Sequence, residues 1–118
     1  MKKEALQLTG ADRVEAALEH LAQFTSTVII KLGANGAIAQ SKGKRVHLQD
    51  IPADVVDTTC AGDNFDCGFL YGLLHNYSLE DCLRCGNFCG SRSTTVRGGW
   101  DSSPTAEQLE AYLKTREL

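Results

Sequence analysis

The stretch Asp57-Thr58-Thr59-Cys60-Ala61-Gly62-Asp63-Asn64-Phe65 lies between an extended segment and the start of an apolar helix, and its small residues have a physical purpose. At a helix N-terminus the first backbone N–H groups lack partners within the helix, and the aligned peptide dipoles add positive potential. Ala61 and Gly62 let an anion such as a phosphate come close to those donors. The helix start at Ala61 and Gly62 therefore reads as an anion hole for transferring phosphoryl oxygens. Asp63, in the same first turn, could align an acceptor hydroxyl and take its proton. Taken alone, an Asp behind small residues is also an ordinary favourable helix start, so the flanking sequence has to decide.

Downstream, Phe65, Phe69 and Leu73 fall on one line with Leu70 and Leu74 beside it, which predicts a largely buried helix over 63–76. Gly68 and Gly72 each lower helix propensity by roughly 1 kcal/mol against Ala, which points to close backbone packing on their side. Ser78, followed by Glu80 and Asp81, predicts the cap of a second helix running to about residue 94. Beyond a turn at Gly98-Gly99, Thr105 and Gln108 have capping-box spacing, ahead of a helix whose apolar face is Ala106, Leu109, Tyr112 and Leu113.

Upstream, Val14, Ala17, Leu18, Leu21 and Phe24 predict a helix over 12–24 with one buried stripe. Val28, Ile29, Ile30 and Leu32 predict a short strand buried on both faces, as in a parallel sheet. Two extended segments over 37–40 and 44–48, joined by Ser41-Lys42-Gly43, predict a hairpin. A helix followed by a buried strand, with further helices behind, gives an α/β fold with a mainly parallel sheet that continues into a small antiparallel meander.

At 118 residues, 42% hydrophobic and 23% charged, the chain has the composition of one folded domain, without repeats, low-complexity tracts or linkers. A formal charge of -3 and no basic run argue against nucleic acid or a membrane surface as partner. The longest apolar run is too short to span a bilayer, and Met1-Lys2-Lys3-Glu4 leads into an amphipathic segment without a signal-peptide core, so a cytoplasmic location is expected. Five cysteines, an odd number on helix-like sequence, suggest reduced thiols. Three of them, Cys82, Cys85 and Cys89, share a helical face and could be read as a metal site. Metal knuckles need turns and a fourth ligand, so a core face of small apolar side chains fits the spacing better. His20, His47 and His75 share no metal-ligand spacing. Arg97 reads as a solvated loop residue rather than a phosphate clamp, and Trp100 as packing.

The central stretch resembles the Asp-Thr-Thr-Gly-Ala-Gly-Asp signature of the ribokinase-like carbohydrate kinases, with Cys60 at a glycine position. Ile30-Lys31-Leu32-Gly33-Ala34-Asn35-Gly36-Ala37 is similar to that family's strand and Gly-x-x-Gly turn beside the nucleotide. Gly86-Asn87-Phe88-Cys89-Gly90 and Thr94-Thr95-Val96-Arg97-Gly98-Gly99 resemble its adenine-side helix and following loop, and Leu8-Thr9-Gly10 its segment before the first of these helices. The resemblance covers nearly the whole chain, in the right order.

It implies that residues 1–118 are the C-terminal, ATP-binding and catalytic portion of a three-layer α/β/α sandwich. In relatives the sugar-contacting residues and a β-sheet lid come before this region. The implied activity is transfer of the γ-phosphoryl group of ATP to a hydroxyl of a sugar or sugar-like substrate, with Mg²⁺ arriving on ATP. By the same resemblance Asp63 is the base, and the backbone of Cys60, Ala61, Gly62 and Asp63 is the anion hole. Gly33, Ala34, Gly36 and Asn87 line the adenosine side, while Asp57, Thr59, Gly98 and Gly99 surround a monovalent cation, K⁺. A homo-oligomer is possible, since lid contacts often decide assembly in the family. The cysteine for glycine exchange matters if residue 60 needs positive φ, and tolerance is expected because the closest phosphate approach falls at Ala61 and Gly62. A nucleotide-binding module without catalysis, and a metal-binding interaction domain built on the cysteine helix, are the alternatives.

Overall fold

Residues 2–51, 53–58, 60–95, 97 and 103–115 are described by a computed structural model, in which the chain forms two units, Met1–Asp50 and Ile51–Leu118. The first unit contains α1 (Lys2–Thr9), α2 (Val14–Leu21), β1 (Thr27–Lys31), β2 (Ala37–Ser41) and β3 (Lys44–Leu48), with a 3-10 turn at Gly33–Asn35. The helix α1 goes beyond the amphipathic start seen in the sequence. It buries Ala5 and stops at Gly10, whose φ of 72° is free for glycine and whose N–H donates to the Leu6 carbonyl at 2.9 Å. On α2, Ala17 and Leu18 are fully buried and pack with Ala5, Val28, Ile30 and Ile38 as the core of this unit. Phe24, assigned by the sequence to the buried stripe, is instead 76% exposed, because α2 ends at Leu21 and the turn after it breaks the helical period.

All strand pairing among the described residues is antiparallel, in the order β1-β2-β3, with Ile29 opposite Ala39 and Ile38 opposite His47. The mainly parallel sheet expected from the apolar run at 28–32 is therefore corrected here. Residues 32–36 join β1 to β2, far fewer than the dozen or so residues a parallel crossover needs. Burial also alternates along β1, with Val28 and Ile30 buried and their neighbours only partly so. The hairpin between β2 and β3 forms as expected. Ser41 pairs with Lys44 around Lys42 and Gly43, whose φ values of 51° and 82° match the twist of the flanking strands.

The second unit contains α3 (Ala61–Leu74), α4 (Leu79–Ser93) and α5 (Ala106–Thr115). Glycines on both α3 and α4 let these helices approach closely. A methyl group at Gly68 would press into the Cys85 carbonyl, and one at Gly72 would sit 2.9 Å from Cys82 Sγ. In return, Phe65 of α3 lies against Gly86 and Gly90 of α4, leaving 2.8 Å between its ring and a Cβ built on Gly86. Phe65 and Phe69 are buried on this face. The remainder of α3 is not buried as expected, since Leu70, Leu73 and Leu74 are 54%, 47% and 82% exposed. Within its unit the helix spends its packing face on glycine and phenylalanine, so the leucines fall outside it.

Ser78 caps α4 by accepting from the Asp81 N–H at 3.1 Å. The box at α5 closes in both directions, from the Thr105 N–H to Gln108 Oε1 at 2.9 Å and from the Gln108 N–H to Thr105 Oγ1 at 3.2 Å. Leu109 and Leu113 of α5 pack with Cys85 and Cys89, and Phe88 stacks on Tyr112 at 4.6 Å. The cysteine face of α4 is thus core. Burial pushes the Cys85 thiol up to about 12 and Cys89 to about 11. Among the described residues no group of three or more His, Cys, Asp or Glu could hold a metal ion, and no helix is long and apolar enough to cross a membrane.

Candidate active site

The end of α4 anchors the segment that carries the signature. A helix C-terminus leaves carbonyls without partners inside the helix. Here the Thr94 carbonyl accepts the N–H groups of Val56 at 2.7 Å and Asp57 at 3.1 Å, and Ser91 Oγ donates to the Ile51 carbonyl at 3.1 Å. Ser93, Thr94 and Thr95 turn their hydroxyls back onto carbonyls three residues earlier, at 2.8, 2.6 and 2.7 Å. Asp57 consequently has a fixed backbone.

The chain then turns into α3 through Cys60, which has φ 62° and ψ 15°. The sequence had posed the question of positive φ at this residue, and the structure answers it: Cys60 occupies the left-handed conformation that glycine takes without steric cost. The Ala61 N–H donates to the Thr58 carbonyl at 3.1 Å, so this member of the expected anion hole is engaged within the turn. Gly62 and Asp63 follow in the first turn of α3, and Asp63 is exposed. Among the described residues no hydrogen bond or ion pair engages its carboxylate. A helix start with an exposed carboxylate one residue past a glycine can take a proton beside an electropositive backbone.

Asn64 was missed in the sequence. It is 6% exposed, its Nδ2 donates to the Cys60 carbonyl at 2.9 Å, and its Oδ1 accepts from Ser103 Oγ. The available signal was a residue of weak helix propensity placed in a first turn, where its amide competes for backbone groups.

The remaining predicted residues divide between the units. Asn87 is buried on α4, next to Gly86 and one turn from Gly90, which lies 3.2 Å from the Ala61 carbonyl measured at a built Cβ. Cys60, Ala61, Gly62, Asp63, Asp57 and Asn87 therefore share the second unit. Gly33, Ala34 and Gly36 belong to the first unit, in the turn between β1 and β2. That turn is closed by the Leu32 N–H on the Gly36 carbonyl at 2.8 Å and the Gly36 N–H on the Gly33 carbonyl at 3.0 Å. Gly36 has φ 86° and ψ -130°, and any Cβ there would collide with the Leu48 carbonyl, so only glycine fits. Thr59, Gly98 and Gly99 lie outside the described residues.

Comparison with known proteins bears on this arrangement. The pattern of the pfkB family carbohydrate kinases matches residues 2–106. The ribokinase of Haemophilus influenzae is 33% identical over 117 residues, spanning 94% of this chain and 38% of that enzyme. An Arabidopsis thaliana ribokinase solved with ribose and ATP superposes with a TM-score of 0.84 at 31% identity, covering 96% of this chain and 39% of that one. A double-mutant fructokinase from Vibrio cholerae, solved with fructose, ADP and a potassium ion, gives 0.83 at 31%, covering 95% and 38%. The chain thus spans about two-fifths of the length of these relatives. With the signature at the start of α3, the glycine turn after β1 and the family pattern along most of its length, the chain belongs to the pfkB family of ribokinase-like carbohydrate kinases.

Proposed function

We propose that these 118 residues are the ATP-binding and catalytic portion of a kinase that transfers the γ-phosphoryl group of ATP to a hydroxyl of a sugar or sugar-like substrate. The observation that carries this reading is the start of α3, where a left-handed cap at Cys60 leads into a first turn bearing an exposed Asp63. Asp63 accepts the proton of the acceptor hydroxyl as its oxygen bonds to the γ-phosphorus. The bond from that phosphorus to the bridging oxygen breaks, and ADP leaves. Backbone donors and the dipole of α3 favour the negative charge on the transferring oxygens, and positioning supplies most of the rate.

Gly33, Ala34, Gly36 and Asn87 are assigned to the adenosine moiety, in keeping with relatives solved with ATP or ADP. Mg²⁺ comes with ATP as part of the substrate and offsets its phosphate charge. Asp57 is the described member of the K⁺ set, which also includes Thr59, Gly98 and Gly99. It fits that role as a carboxylate whose backbone is pinned to the end of α4. The setting is cytoplasmic, where thiols stay reduced.

The test is Asp63→Asn in the product of the complete reading frame, with ATP and a panel of sugars. Turnover should fall by roughly two to four orders of magnitude with the ATP KM nearly unchanged, because the base acts mainly in the transition state. A loss of tenfold or less removes Asp63 from this role.

A further inference from the structure

We infer that Asn64 is a positioning residue for phosphoryl transfer, clamping the left-handed turn at Cys60 and tying it to Ser103. The inference rests on the kinase reading given above. A residue with a side chain at φ 62° is strained relative to a right-handed conformation, so its neighbours have to hold it there. The Cys60 carbonyl accepts two bonds at 2.9 Å, one from the Asn64 backbone N–H and one from Asn64 Nδ2. Any residue but proline at position 64 would make the first. The second is specific to the amide.

The orientation of that amide follows from its partners. A backbone carbonyl only accepts, so the NH₂ end must face Cys60, which leaves Oδ1 to accept from the Ser103 hydroxyl. Both ends of a side chain only 6% exposed are therefore used, one on the cap and one on the segment leading into α5. The Cys60 carbonyl and the Ala61 N–H belong to one rigid peptide plane. Holding the carbonyl therefore sets that plane, and with it the direction in which the following turn presents its donors and Asp63. A displacement of about 1 Å at such a site can cost on the order of a hundredfold in rate.

Asn64→Asp keeps an acceptor for Ser103 and replaces the donor by a carboxylate oxygen facing a carbonyl. Asn64→Ala removes both bonds. Each is to be measured in the product of the complete reading frame, with kcat and KM recorded at a temperature where circular dichroism shows the variant folded. We expect kcat to fall about 10- to 100-fold with the sugar KM within about twofold, and Ser103→Ala to lower kcat by about fivefold.

The decisive measurement is rescue. Glycine adopts the left-handed turn without a clamp, so adding Cys60→Gly should restore most of the lost kcat in either Asn64 variant. Asn64 as a simple stabiliser would instead lower the melting temperature, leave kcat of the folded enzyme intact and combine additively with Cys60→Gly. Either result, an unchanged kcat or an absent rescue, overturns the inference. If an Asn64 variant fails to fold alone, its double variant with Cys60→Gly and the Ser103→Ala variant carry the same comparison. Asp63→Asn separates the two claims: if it remains active, the kinase reading fails, whereas if it is inactive and Asn64→Asp has normal kcat, the clamp alone fails.

Discussion

Cys60 holds a left-handed conformation at a position where the signature it resembles has glycine, and this single residue links sequence to backbone strain. The left-handed backbone penalises a Cβ, whereas glycine gives up more chain entropy on folding, so the two effects partly offset each other. Cys60→Gly should therefore stabilise the protein by about 1 kcal/mol, seen as a rise in melting temperature, and should modestly raise turnover. A large loss of activity would instead give the thiol a part in transfer. The helix start and the place of Asp63 near it could be read directly, because both are local to one segment. Asn64 could not be read in the same way, since its partner Ser103 is 39 residues away.

The pairing of α3 with α4 predicts an unusual sign for a glycine substitution. Ala is favoured over Gly in a helix interior by about 1 kcal/mol, but at Gly68 the new methyl would press into the Cys85 carbonyl and sit 2.9 Å from Cys89 Sγ. Overpacking of this kind costs about 1–3 kcal/mol, so Gly68→Ala should lower stability in a denaturant titration. A gain in stability would contradict the close approach of the two helices. The attachment of α5 is polar as well as apolar. Tyr71 and Tyr77 both donate to Glu110 Oε1, at 2.6 and 2.7 Å.

These two bonds hold the Glu110 carboxyl below its ordinary range. The same bonds, with some desolvation, push both phenols up to about 12. The folded pKa values of the phenols exceed the unfolded value near 10, so their contribution is complete below about pH 10 and is lost as pH rises through about 12. The folded pKa of Glu110 is depressed, so its contribution is present above about pH 4 and is lost as pH falls through the folded value. Glu110→Gln should move the ionisation of both tyrosines toward 10 in an absorbance titration and flatten the acid limb of the stability profile. Unchanged tyrosine titrations would dismiss the shared carboxylate.

At the scale of the molecule, the relatives are about two and a half times as long as this chain, and we propose, on the family resemblance, that the sugar-contacting residues and a lid belong to the part it does not cover. A base and an anion hole accomplish little unless the acceptor hydroxyl is held in line with the γ-phosphorus. The 118-residue chain, purified alone, should therefore form no sugar phosphate with ATP, Mg²⁺, K⁺ and a panel of sugars, and any slow turnover should appear as ATP hydrolysis. Mass spectrometry checks this directly. Sugar phosphate formed within about a hundredfold of the rate of the complete enzyme would place the acceptor site inside these residues. Leu70, Leu73 and Leu74 form an exposed apolar stripe on α3, so the isolated chain should also self-associate. Sedimentation should show a dimer or larger species, reduced to monomer by Leu70→Glu with Leu74→Glu.

The features legible in the chain alone were local. The helix start at Ala61, the Ser78 cap, the Thr105 and Gln108 box and the Lys42-Gly43 turn all follow from residues acting on nearby backbone. Tertiary structure decided the rest. The apolar run at 28–32 suits either sheet type, and the antiparallel outcome depended on a connection too short for a crossover. The leucines of α3 share the helical period of its phenylalanines, and only the position of α4 determined which of them became core. The clamp at Cys60 likewise required Ser103 to be brought to Asn64 by the fold, because a hydrogen bond between distant residues leaves no period or spacing in the chain.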